Sequence, residues 1–69
     1  MSATIRLNGQ ERQLGAGTLI GLLREQNIDL DARGVAVALN GAVVPRRAWR
    51  ATALTDGDEV EIVKLFAGG

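Results

Sequence analysis

Residues 4–26 read TIRLNGQERQLGAGTLIGLLREQ, and the change of hydrophobic period inside that stretch decides the fold class. From Thr4 to Asn8 the chain alternates, with Ile5 and Leu7 on one face and Thr4, Arg6 and Asn8 on the other, the period of a half-buried strand. Asn8-Gly9 follows, two residues that both accept positive φ, so the pair specifies a two-residue hairpin with Gln10 to Leu14 as the returning strand. That strand stops at Gly15-Ala16-Gly17. From Thr18 onward the recurrence changes: Leu19, Ile20, Leu22, Leu23 and Gln26 repeat at helical spacing, Thr18 is suited to cap the first turn, and Arg24 and Glu25 fall on the wet side. Asn27 ends the helix as a left-handed cap. A hairpin followed directly by a helix points to an α+β domain.

Beyond the helix, Asp29, Asp31 and Gly34 mark a connecting loop, and Val35 to Leu39 reads as a third strand leading into a second hairpin signal, Asn40-Gly41. Val43 and Val44 run into Pro45, which cannot donate to a ladder, so the fourth strand is expected to be short or to lie on an edge. Arg46 to Thr55 has no clean period and is expected to cross over the sheet, anchored by Trp49 and Leu54. Asp56-Gly57-Asp58 makes a turn, and Glu59 to Phe66 is the last and strongest strand. The expected architecture is α+β, a mixed sheet of four to five strands with one main helix packed on one face. Residues 1–66 form the domain and residues 67–69 an Ala-Gly-Gly tail.

At 69 residues there is room for one domain only, and with no cysteine to staple it the core must suffice alone. Eight basic and eight acidic residues cancel, which speaks against nucleic acid or an anionic membrane surface as partner. No apolar run approaches the roughly 20 residues of a membrane helix, and Met1-Ser2-Ala3-Thr4 lacks the basic and apolar regions of a signal peptide, so the expected setting is the cytoplasm. The chain contains no His, Cys or Tyr, which removes the commonest general bases, soft metal ligands and strong nucleophiles. Catalysis by its own side chains is not expected.

The chemistry is expected at the end of the chain instead, where a strong strand runs into Ala67-Gly68-Gly69. Glycine has no Cβ and visits most of φ/ψ space, so a Gly-Gly end is a thin thread bearing an unhindered carboxylate. Three extended residues reach on the order of 10 Å, enough to enter another protein's active site. Two readings stand for such an end taken alone: ordinary fraying of a terminus rich in small residues, or delivery of Gly69 to a partner. A firmly anchored strand presenting the thread favours delivery.

Three segments carry a specific resemblance: Val37-Ala38-Leu39-Asn40-Gly41-Ala42-Val43-Val44-Pro45-Arg46-Arg47-Ala48-Trp49, then Asp56-Gly57-Asp58-Glu59-Val60, then Phe66-Ala67-Gly68-Gly69. Together they resemble the thiamine-biosynthesis sulfur-carrier (ThiS) family over nearly the whole chain. The resemblance implies a ubiquitin-like β-grasp fold. It also implies a cycle in which an E1-like, ThiF-like enzyme uses ATP and magnesium to adenylate the Gly69 carboxylate. A sulfur donor such as a cysteine desulfurase or rhodanese-type protein then converts the adenylate to a thiocarboxylate, which serves a ThiG-like thiazole synthase. A terminal carboxylate is an anion at neutral pH and a poor acyl donor until activated, so the energy must come from a partner. A related carrier for molybdopterin, or a ubiquitin-like interaction module with an inert tail, are the competing readings.

A carrier needs a docking surface. If Val60 and Ile62 face the core, alternation puts Glu59, Glu61, Val63 and Leu65 on the other face of the sheet. Val63 and Leu65 then form an exposed patch beside the tail, unless a bulge or the crossover covers them, with Phe66 available to core or interface. The resemblance adds Arg46 and Arg47 as candidates for docking on an acidic partner, while Trp49 is read as packed beneath the crossover. Gly15-Ala16-Gly17 lacks the strand-to-helix context of a phosphate loop and is read as a tight turn. The pairs Asp29/Asp31 and Asp56/Asp58 do not continue into a calcium-loop pattern and are read as turn residues, so no metal site is expected.

Overall fold

The computed structural model describes residues 3–15 and 17–65; the remaining positions, 1–2, 16 and 66–69, lie outside the described residues. Strands β1 (Ala3–Leu7) and β2 (Gln10–Leu14) pair antiparallel, with Leu7 opposite Gln10. Asn8 at φ 50° and Gly9 at φ 83° close the turn between them, the geometry that matches the twist of the flanking strands. The second Asn-Gly pair repeats it: Asn40 at φ 50° and Gly41 at φ 86° join β3 (Val35–Leu39) to β4 (Ala42–Val44). Both hairpins lie where the sequence puts them.

Helix α1 (Leu19–Glu25) is two turns long, too short to hold in isolation, and owes its stability to docking. The Thr18 hydroxyl oxygen accepts the Gly21 N–H at 3.0 Å, and Asn27 takes φ 60° just beyond the end. Leu19, Leu22 and Leu23 face the sheet and are essentially inaccessible, each burial worth about 1.5–3 kcal/mol relative to exposure. Their partners on the inner face are Ile5 and Leu7 of β1, Val37 of β3 and Val60 of β5 (Glu59–Lys64).

The sheet order is β2-β1-β5-β3-β4, with β1 and β5 parallel and every other neighbouring pair antiparallel. The last strand in the chain is thus the middle strand of the sheet, and β4, with its three residues before Pro45, is an edge.

Two expectations needed adjustment. The aperiodic stretch after Pro45 contains a 3-10 helix, Arg46–Ala51, whose turn is closed by Ala48 N–H donating to the Pro45 carbonyl. It carries Trp49 into the core at 3% exposure, where Nε1–H donates to the Val44 carbonyl at 3.0 Å. Backbone bonds from Leu19 to Thr52 and from Leu54 to Gly17, each 3.0 Å, fasten the crossover to the start of α1. The final strand, expected to run to Phe66, spans Glu59–Lys64 among the described residues; the Leu65 N–H adds one further bond, to the carbonyl of Gly34 at φ 77°, and Phe66 lies outside the described residues.

Candidate functional site

The exit of the chain from the sheet is built by β5 and the strands on either side. Parallel pairing to β1 covers only Arg6↔Glu59 and Leu7↔Val60 before β1 departs into its hairpin. The Asn8 side chain then stands in for the missing backbone: its Oδ1 accepts the Ile62 N–H at 2.8 Å and its Nδ2 donates to the Ile62 carbonyl at 3.3 Å. At the other hairpin, Asn40 Oδ1 accepts the Glu59 N–H at 2.9 Å, and the Asn40 N–H donates to the Glu59 carbonyl at 2.7 Å. The asparagines of both hairpin turns therefore grip the central strand, one on each edge. Sequence reasoning took these residues as turn formers for their backbone alone; an amide side chain spaced one residue beyond a strand was the signal that it could also extend the ladder.

On the β3 side the pairing continues farther, through Ala36↔Val63 and Val35↔Lys64. The last described bond runs from the Leu65 N–H to the Gly34 carbonyl, at 2.5 Å. The tail residues expected to do the chemistry, Ala67, Gly68 and Gly69, and Phe66 with them, lie outside the described residues.

The face of the sheet opposite α1 is open. Val63 is 48% exposed, Leu65 65% and Val43 76%, while Val60 is fully buried behind them. Register places Ala36 opposite Val63, and Ala38 between Val43 and Glu61, so apart from Glu61 the β4-β3-β5 half of this face is apolar. The β2-β1-β5 half carries Glu11, Arg6 and Glu59 in one cross-strand row, with Glu61 beside it. The alternation read from the sequence is the one observed, with neither a bulge nor the crossover lying over Val63 and Leu65.

Arg46 is elsewhere. Its guanidinium lies 4.5 Å from the centroid of the Trp49 ring and donates to the carbonyls of Leu30 and Ala32. It lines a cavity with Ile20 and Leu30 on the helix side, so it is not brought to Val63 and Leu65, and it ties the post-helix loop to the crossover. Arg47 is exposed. Asp29 and Asp58 bond within their turns, Asp29 Oδ1 accepting the Asp31 N–H and Asp58 Oδ2 the Thr55 N–H, whereas Asp56 Oδ1 accepts the N–H of Thr4 in β1 and ties the turn to that strand, all at 2.8–2.9 Å. Among the described residues no group of three or more His, Cys, Asp or Glu side chains is placed to hold a metal ion, and no helix is long and apolar enough to cross a membrane.

A five-stranded mixed sheet with a parallel central pair, its last strand in the middle and one α-helix across it, defines a ubiquitin-like β-grasp domain. The chain is similar to the sulfur carrier protein ThiS of Thermus thermophilus, 44% identical over 68 residues that cover 91% of this chain and 95% of that one. It is also similar to the crystal structure of the thiamine biosynthesis protein ThiS from Geobacter metallireducens, with a TM-score of 0.76 at 35% identity, covering 96% of this chain and 99% of that one. The ThiS family model matches residues 5–69. The chain belongs to the ThiS family and is a sulfur carrier rather than a catalyst. It is 41% identical over 64 residues to a thiazole synthase of Paramagnetospirillum magneticum, where it matches 91% of its own length but spans only 19% of the relative.

Proposed function

We propose that this sulfur carrier of thiamine biosynthesis works in the cytoplasm through the carboxylate of Gly69. An E1-like, ThiF-like enzyme holding ATP and magnesium adenylates that carboxylate with release of pyrophosphate. The terminal sulfur of a persulfide on a cysteine desulfurase or rhodanese-type donor then attacks the acyl carbon and displaces AMP, and a thiol reductant cleaves the S–S bond of the resulting acyl disulfide to leave the thiocarboxylate. Residues 67–69 are the tail that enters each partner's site, and residues 1–66 are the body it is presented from. The observation that carries the reading is that the family match runs through residue 69, on a chain whose last strand is the central strand of the sheet.

Thiazole synthase is the proposed recipient of the sulfur. A region similar to this chain occupies about a fifth of a protein named thiazole synthase, and joining two interacting units in one chain raises their effective concentration to the millimolar range for short flexible linkers. The open half-face with Val63 and Leu65 is the proposed docking surface, with Phe66, next in the sequence, proposed to join it; the exposed Arg47 stays a docking candidate, and Arg46 is already engaged with Trp49.

The test is the intact mass of the chain after incubation with ATP, magnesium, an E1-like adenylating enzyme and a sulfur donor. One oxygen exchanged for sulfur is expected in the chain ending at Gly69 and not in a chain extended beyond it. An activating enzyme that works on another carrier yet gives neither adenylate nor thiocarboxylate here would leave an interaction module with an inert tail.

A further inference from the structure

We propose that Gly34 is the positioning residue that sets where the reactive tail begins, by clamping Leu65 through a backbone contact that only glycine permits. This rests on the carrier reading above and adds a determinant of it that lies 35 positions before Gly69 in the sequence.

The described glycines with positive φ are Gly9, Gly34, Gly41 and Gly57, at 83°, 77°, 86° and 87°. A Cβ built at Gly9, Gly41 or Gly57 meets nothing within 4 Å, so these three are needed for their backbone shape alone. Gly34 differs. A Cβ there would be driven into the Leu65 carbonyl, oxygen and carbon both, with the Leu65 Cβ as the next neighbour. The same two residues share the 2.5 Å hydrogen bond from the Leu65 N–H to the Gly34 carbonyl. Leu65 therefore lies directly against a backbone that has no side chain to hold it off.

This contact is the last described point of attachment. On the β1 edge, the described support of β5 ends with the Asn8 amide at Ile62; beyond it, Val63 to Leu65 are held from the β3 edge, and the final rung is Gly34. Four residues, 66–69, follow Leu65 in the sequence, and fully extended they would reach at most about 14 Å. Any L side chain at position 34 pushes the Leu65 carbonyl away and moves the start of the thread back by at least one residue. A longer thread still reaches a partner's site, but each freed residue must be ordered again on entry, which weakens productive binding by about 5- to 30-fold per residue.

The experiment compares Gly34→Ala with Gly41→Ala, which carries a similar positive φ but has open space at its Cβ and so controls for lost stability. Hydrogen exchange at the Leu65 amide of the free chain and steady-state adenylation by an E1-like enzyme are both read. Gly34→Ala is expected to lose protection at Leu65 and to raise KM by about 5- to 30-fold with kcat little changed, whereas Gly41→Ala leaves both near the parent values. A synthetic chain with an ester in place of the Lys64–Leu65 peptide bond removes the donor while keeping the glycine and both side chains, and is expected to reproduce the rise in KM even where Gly34→Ala folds poorly. Retained protection at Leu65 in Gly34→Ala, an unchanged KM in the ester chain, or an equal loss in Gly41→Ala would overturn the clamp. A parent chain that is never adenylated would instead sink the carrier mechanism, and exchange at Leu65 would still decide whether the clamp exists.

Discussion

Replacing Asn8 first by glycine and then by alanine separates the two things this residue does. Glycine holds the left-handed turn at little steric cost, so Asn8→Gly removes only the two amide bonds to Ile62, at 2.8 and 3.3 Å. At about 0.5–1.5 kcal/mol per bond, and toward the lower end because both are solvent-exposed, the loss is about 1–2 kcal/mol. Alanine loses the same bonds and must also hold φ near 50°, which adds about 1 kcal/mol and brings the total to about 2–3. For a domain of this size each kcal/mol shifts the melting temperature by about 4–8 °C, so the glycine variant is expected to melt roughly 5–15 °C below the parent and the alanine variant lower still. Thermal melts followed by circular dichroism give those values, and hydrogen exchange locates the change: the Ile62 amide should lose protection in both variants, while Ala38 and Glu61, paired on the β3 side, change less. A glycine variant that melts within about 2 °C of the parent, with Ile62 still protected, would refute the idea that the side chain replaces a rung of the ladder.

Trp49→Phe keeps most of the apolar volume but leaves the Val44 carbonyl without its indole donor; a destabilisation of about 1–2 kcal/mol is expected in urea unfolding followed by far-ultraviolet circular dichroism. Val63→Lys places a charge on the open apolar half-face, and is expected to change stability by less than about 1 kcal/mol while weakening binding to an E1-like enzyme about tenfold or more. Calorimetric titration against that enzyme, beside a melting curve, separates the two effects, and unaltered affinity would move the docking surface elsewhere.

Much of the fold was legible because its local rules agree with one another. Both Asn-Gly turns, the Thr18 cap, the left-handed Asn27 and the alternation of Val60, Ile62, Val63 and Leu65 are short-range signals, and the structure keeps each of them. The 3-10 helix at Arg46–Ala51 was not legible: its burial is concentrated in Trp49, which gives no period to read. The role of Arg46 was hidden for a related reason, since a cation beside a tryptophan looks the same in sequence whether it faces a partner or bonds carbonyls of a loop 14 to 16 residues earlier. Strand order is a long-range property, and hydrophobic period carries no information about which strand lies beside which; it came from the resemblance. The sequence offers Gly68 and Gly69 as the candidate site, and both lie outside the described residues. The anchoring at Gly34 was not legible, because a glycine in a loop shows that a turn exists and says nothing of what lies against it.

The position of β5 makes completeness a condition of folding. The first hairpin and the second share no edge and are joined only through the strand that comes last in the sequence. A two-stranded hairpin alone is marginal in water, so a chain broken before Glu59 retains two unsupported hairpins and a helix whose floor is missing. The open half-face, to which β5 contributes Val63, does not assemble in such a fragment. Chains cut short before the last strand are thus screened out by their own failure to fold, and a partner that recognises the assembled sheet, as the proposed activating enzyme would, is not occupied by chains that end in a carboxylate other than that of Gly69.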